Sequence, residues 1–278
     1  MGLTFVRGDA RGSHYRIDGE NGGRPIVLIH GATVPHWEFD GLVPLLVRAG
    51  FRCLRFDLLG HGESAPAPRR MPIDALVRQT SLLLDDVEWP RSTSILGHSL
   101  GAAITARCVA LDPSRYTRVA LVAPMLDFSA RNPALRILRF PGIGSVFARA
   151  IAVPMLVRRR TRRYSAIDRE DLVRRFGEQV RRRGFGGTLL RLERDGALGN
   201  QAAAYRELAR HDKEICVLWG DCDAIIPRDD IRAVRDAIGC HEYFELPTLE
   251  HNLMLAHPER VAPYLVRWFG ESRPPDPI

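Results

Sequence analysis

The sequence predicts an α/β protein with a mostly parallel sheet covered by helices on both faces. Short apolar runs that end at glycine, proline or a charged residue alternate with stretches of helical periodicity. In SILGHSLGAAI, residues 94–104, an apolar run passes into a helical pattern within two residues, and Gly97 and Gly101 flank Ser99. Glycine is the poorest residue for a regular strand or helix interior, so this pair marks a geometry that requires it.

Taken in order, PIVLIHG (25–31) is a short apolar run ending in glycine, suited to a strand covered on both faces. HWEFDGLVPLLVRA (36–49) carries partial helical periodicity and stops at Gly50, and FRCLRFD (51–57) is a second strand. PIDALVRQTSLLLDDV (72–87) is an amphipathic helix. TSILGH (93–98) is the strand that enters the turn, and LGAAITARCVAL (100–111) is the helix that leaves it. RVALVAP (118–124), EICVLWG (214–220) and HEYFELP (241–247) continue the strands. The segments IRAVRDAIG and PERVAPYLVRWFG supply the last helices. From Met125 to Tyr205 the alternation fails: helical segments and basic clusters occur, with no strand-like run of matching quality. An all-helical insertion over the strand ends is the economical reading, and the PPDPI tail reads as disordered.

Composition narrows the class. The chain has 278 residues, 45% hydrophobic and 26% charged, as in an ordinary soluble globular protein. No apolar run reaches membrane-spanning length, and the N-terminus lacks the apolar core of a secretory signal. The five cysteines, 53, 108, 216, 222 and 240, form no CxxC pair and sit mostly in expected core segments, which suggests a reducing, cytoplasmic setting. The net charge of +7 is uneven: residues 131–194 hold 17 Arg against 5 Asp plus Glu. Lys213 is the only lysine, and such an arginine bias points to a GC-rich genome more than to a nucleic-acid surface. Acids interleave with the arginines, as in DREDLVRRFGEQ, so a solvated helix face outweighs attraction of an anionic substrate or a membrane surface. The same basic segment offers peripheral contact with an anionic surface. There is no HExxH, no spaced His/Cys set and no GxGxxG at a strand end, so neither a metal nor a dinucleotide is expected.

The chemistry begins at Ser99. A sharp strand-to-helix turn leaves its hydroxyl exposed at a helix N-terminus, where free N–H groups favour anions. Serine is a weak nucleophile until a base takes its proton and a third group orients that base. WGDCDAIIP (219–227) follows a strand and offers Asp221 and Asp223, and TLEHNLML (248–255) follows the next strand and offers His251. Asp127, after RVALVAP, is a further candidate acid.

With these motifs in view, the chain resembles the α/β-hydrolase fold superfamily, and within it small carboxylesterases and monoacylglycerol-lipase-like members. HGAT (30–33) resembles the oxyanion loop and FDLLGHGES (56–64) the D-x-x-G-x-G-x-S loop. GHSLG matches the nucleophile elbow, GDCDAIIP resembles the acid motif, and EHNLML carries the late histidine. One departure is Glu250, where glycine often precedes that histidine.

The resemblance implies a core of residues 1–124 and 206–272 and a helical cap over 125–205, inserted after the sixth sheet strand. The tail is then 273–278. It implies Ser99 as nucleophile, His251 as base, Asp223 as the orienting acid, and the backbone N–H groups of Ala32 and Leu100 as the oxyanion hole. Thr33, Trp37 and His98 are candidates for the substrate pocket, and Asp221 for the turn. The implied activity is hydrolysis of a small or single-chain lipophilic carboxylic ester, without a cofactor. The alternatives are C–C, thioester or lactone hydrolysis with the same triad, or a non-catalytic ligand receptor.

Overall fold

The computed structural model describes residues 5–140, 142–182 and 184–270; the expected tail lies outside them. Eight strands form one sheet: β1 (Phe5–Ala10), β2 (Ser13–Asp18), β3 (Arg24–Ile29), β4 (Phe51–Phe56), β5 (Thr93–His98), β6 (Tyr116–Val122), β7 (Glu214–Gly220) and β8 (Glu242–Leu246). Their spatial order is β1-β2-β4-β3-β5-β6-β7-β8. From β3 onward all pairings are parallel, and β2 pairs antiparallel with both β1 and β4.

The β1–β2 hairpin escaped the sequence reading. SHYRID lacks the continuous apolar run of a central strand because three of its four buried residues are polar, among them Asp18, which pairs with buried Arg55 of β4. β3, β5 and β6 each end in four buried residues, as strands covered on both faces should.

The helices around the sheet are α1 (Val43–Arg48), α2 (Ile73–Asp86), α3 (Leu100–Leu111), α10 (Arg228–Ile238), the short α11 (Leu253–Ala256) and α12 (Pro258–Gly270). The helix expected over 36–49 is two pieces: a single 3₁₀ turn at His36–Phe39, then α1. They break at Gly41, whose missing side chain would meet Pro258 Cγ at 2.6 Å, so the chain bends against the start of α12. α3 is buried on nearly every side because it runs beneath the centre of the sheet. Between β6 and β7 lie α4 (Phe128–Arg131), α5 (Ile143–Phe147), α6 (Val153–Ser165), α7 (Glu170–Arg181), α8 (Phe185–Arg194) and α9 (Ala202–Leu208). A separate small apolar cluster, including Trp37, Tyr164, Leu172, Phe176 and Phe185, joins α6–α8 to the 36–39 turn. Among the described residues, no helix is long and apolar enough to cross a membrane.

Candidate active site

β5 ends at His98 and α3 begins at Leu100, so Ser99 alone makes the turn, with φ 54° and ψ −114°. That left-handed conformation is strained for a residue with a side chain. It is held by Ser99 N donating to Val122 O at 2.9 Å, which ties the turn to the end of β6. The two glycines are steric necessities. A Cβ on Gly97 would stand 2.2 Å from Gly101 O, and one on Gly101 would stand 2.2 Å from Ile29 O. The clashing atoms are backbone and cannot swing away. Gly101→Ala is therefore expected to lower the unfolding free energy by about 2–3 kcal/mol, read from denaturant midpoints at an unchanged m-value.

Asp223 and His251 arrive on the loops after β7 and β8. The loops are stitched together: Thr248 N donates to Asp221 Oδ1 at 2.6 Å, and Cys222 N to Leu249 O at 3.0 Å. Asp223 Oδ1 accepts from Ile225 N and Ile226 N at 2.7 and 3.0 Å, which aims Oδ2 at His251 Nδ1, 2.7 Å away. Burial opposes the Asp223 charge, but the imidazole and the two amides outweigh it and hold the carboxyl below its usual range. His251 is pushed below 6.5, first by burial and then by the charges of His98 and Arg160, against the pull of Asp223.

The other acids are elsewhere. Asp127 caps the short α4 by accepting from Ala130 N at 2.9 Å, and Asp221 serves the turn before the histidine. Glu250 faces Arg163 of α6 at 3.3 Å and is half exposed.

Ser99 and His251 line one cavity of about 210 Å³ together with Gly31, Ala32, Thr33 and Glu38. Its other walls are mainly apolar and come from between β6 and β7: Phe128, Leu135, Leu138, Ala152, Val153, Leu156 and Leu190. Ala32 lines the cavity, and Leu100 opens α3, where the first N–H groups have no partner within the helix.

Of the three pocket candidates, Thr33 and His98 line this cavity, whereas Trp37 does not. On the one-turn 36–39 helix, neighbouring side chains diverge. Glu38 enters beneath the serine turn, and the Trp37 indole faces the cluster under α6–α8, with the Arg175 guanidinium 4.5 Å from its ring centroid.

Glu38 is the residue sequence reasoning missed. It is 1% exposed, lies 2.8 Å from His98 Nδ1, and accepts from Gly31 N at 3.1 Å. His98 Nε2 in turn donates to His251 O at 2.9 Å. One buried ion pair thus braces the 30–33 loop, the serine turn and the histidine loop. Burial would strip both charges, yet each partner keeps the other ionised: His98 is shifted up and Glu38 down. An acid on a one-turn helix reads as surface, so its sequence carried no signal. His30 is likewise internal bracing, since its Nε2 accepts from Leu58 N at 2.9 Å.

One cluster among the described residues has metal-ligating chemistry: His14, His36 and Asp57, with ligand atoms within 4.8 Å of one another. Asp57 is already committed there. It accepts from His36 N at 2.8 Å, His36 Nδ1 at 2.7 Å and Glu63 N at 2.8 Å, which hold the 57–64 loop.

Residues 24–258 match the model of the family described as alpha/beta hydrolase fold. Two curated relatives illustrate the sequence similarity. One is the dihydrolipoyllysine-residue acetyltransferase component of the acetoin cleaving system of Pseudomonas putida, 29% identical over 89% of this chain and 63% of that protein. The other is the non-heme chloroperoxidase CPO-A1 of Kitasatospora aureofaciens, 30% identical over 40% of this chain and 42% of that one. The chain thus spans less than two thirds of the length of either. Among solved structures, the enol-lactonase of Burkholderia xenovorans LB400 superposes with a TM-score of 0.78 at 22% identity, covering 96% of this chain and all of that one. The haloalkane dehalogenase DbeA of Bradyrhizobium elkani USDA94 reaches 0.76 at 17% identity, covering 97% and 98%. At those identities the likeness is one of fold. The family match covers most of the chain and includes the strained serine turn, the paired acid and histidine loops and the six strands β3–β8: this protein is a member of the alpha/beta hydrolase fold family.

Proposed function

We propose that the protein is a serine hydrolase of carboxylic esters, with Ser99, His251 and Asp223 as its triad. The supporting observation is one cavity lined both by a strained, buried serine and by a histidine whose Nδ1 is held 2.7 Å from a buried carboxylate. With Nδ1 donating to Asp223, the neutral ring leaves Nε2 as its basic nitrogen. Ser99 Oγ attacks the acyl carbon while its proton passes to His251 Nε2. The carbonyl π electrons move to oxygen, where the N–H groups of Ala32 and Leu100 receive them, worth roughly 3–4 kcal/mol each in such sites. As the tetrahedral species collapses, the C–O bond to the leaving alcohol breaks and His251 returns the proton to it. Water, deprotonated by the same imidazole, then releases the acid and restores the serine. Helices α4–α8 act as a lid whose apolar wall receives the acyl chain.

A panel of p-nitrophenyl esters of graded chain length tests this reading, with a fluorophosphonate probe to mark the nucleophile. Turnover of the short to medium chains and labelling of Ser99 are expected. The pH profile has a defined sign. Only neutral His251 acts as base, so kcat/KM falls as pH drops through its pKa, which burial places below 6.5. The acid limb should therefore have its midpoint below pH 6.5. Tight binding of a small molecule with no turnover of any ester would point instead to a receptor.

A further inference from the structure

We propose that Arg160 is a specificity-determining residue of the Ser99 cavity and that the favoured acyl group carries a carboxylate near the scissile carbonyl. This rests on the ester-hydrolase reading and names its substrate class.

Arg160 lies on α6, is 5% exposed, and lines the same cavity as Ser99 and His251. Its guanidinium is held by neutral groups: Nη2 donates to Thr33 Oγ1 at 3.1 Å, Nη1 reaches Tyr164 OH at 3.5 Å, and the Phe176 ring centroid is 5.9 Å from Cζ. Among the described residues no carboxylate forms an ion pair with it. The nearby acids are committed: Glu38 to His98, Asp223 to His251, and Glu250 to Arg163 one turn along α6. A guanidinium cannot escape burial by losing its proton, so an unpaired one inside a protein is costly until an anion arrives.

The position says where that anion lies. Thr33 adjoins Ala32, and successive Cα atoms are about 3.8 Å apart, so the cation stands beside the proposed oxyanion site. A carboxylate matches the planar donor fork of arginine, and the walls formed by Leu135, Leu138, Leu156 and Leu190 take a short methylene chain; Arg159 also lines the cavity but is exposed to water. Half-esters of short dicarboxylic acids combine these features.

The experiment compares kcat/KM for p-nitrophenyl hemiglutarate and p-nitrophenyl valerate, whose acyl chains differ at one end by a carboxylate. The wild-type protein should favour the anionic ester by about 10- to 100-fold. Arg160→Met should abolish that ratio and Arg160→Lys should retain part of it, with thermal unfolding recorded for each. Preference for valerate in the wild type, or an unchanged ratio in Arg160→Met, overturns the proposal. A second readout needs no turnover. Monomethyl glutarate should bind Ser99→Ala at least about tenfold more tightly than Ser99→Ala/Arg160→Met in calorimetry. Equal affinity, or binding to neither, overturns it. If hydrolysis persists in Ser99→Ala while the binding difference holds, the nucleophile assignment fails and the anion site stands.

Discussion

Ser99→Ala is expected to lower kcat/KM for the best ester by about 10⁴- to 10⁶-fold while leaving the thermal unfolding midpoint nearly unchanged. The loss is large because the hydroxyl is the attacking group and alanine offers none. Catalysis left in the variant would come from the backbone N–H groups of Ala32 and Leu100 acting on a bound ester attacked by water. The fold should tolerate the change: alanine has the same Cβ as serine, so the turn at φ 54° is no more strained, and the backbone tie from residue 99 to Val122 O survives. Initial rates with a p-nitrophenyl ester at saturating enzyme, beside an unfolding scan, measure both halves. Turnover within tenfold of the parent would remove Ser99 as nucleophile.

Asp223→Asn is expected to cost about 10⁴-fold in kcat. The substitution keeps size and shape but turns the acceptor facing His251 Nδ1 into a group that can present N–H. The imidazole then loses the partner that fixes its tautomer and stabilises its cation, and Nε2 is no longer reliably the basic nitrogen. The control is Asp127→Asn, which can still cap α4 through its side-chain oxygen. It should leave the rate within about twofold, as surface changes away from a site usually do. Equal losses in the two variants would mean that the histidine takes its orientation from the fold rather than from the carboxylate at 223.

Much of this molecule is legible in its residues, because the informative signals are local. The strand runs are continuous apolar segments because parallel strands are buried on both faces, and that requirement is written into each segment independently. The serine turn is legible for the same reason: Gly97 and Gly101 answer clashes that arise within a few residues of Ser99 and against the strand beside it. The β1–β2 hairpin was hidden, since β1 is exposed or half-buried from Val6 to Ala10 and the buried positions of β2 are mostly polar, so neither carries an unbroken apolar run.

By itself, then, the sequence determined the α/β class, the place of the serine turn and the chain order of serine, acid and histidine, each of which is a constraint on a short stretch. The family resemblance singled out Asp223 among the acids that follow strands, but only the tertiary structure shows where the three loops lead: Asp223 Oδ2 stands 2.7 Å from His251 Nδ1, while Asp127 caps α4 and Asp221 holds the turn. It also decided that Glu38 and His98 share a buried charge pair, that Trp37 turns away from the cavity, and that one arginine among many lies inside without an acid. Burial and pairing depend on which distant segments pack together, and a charged residue looks the same in sequence whether water or a cavity wall surrounds it.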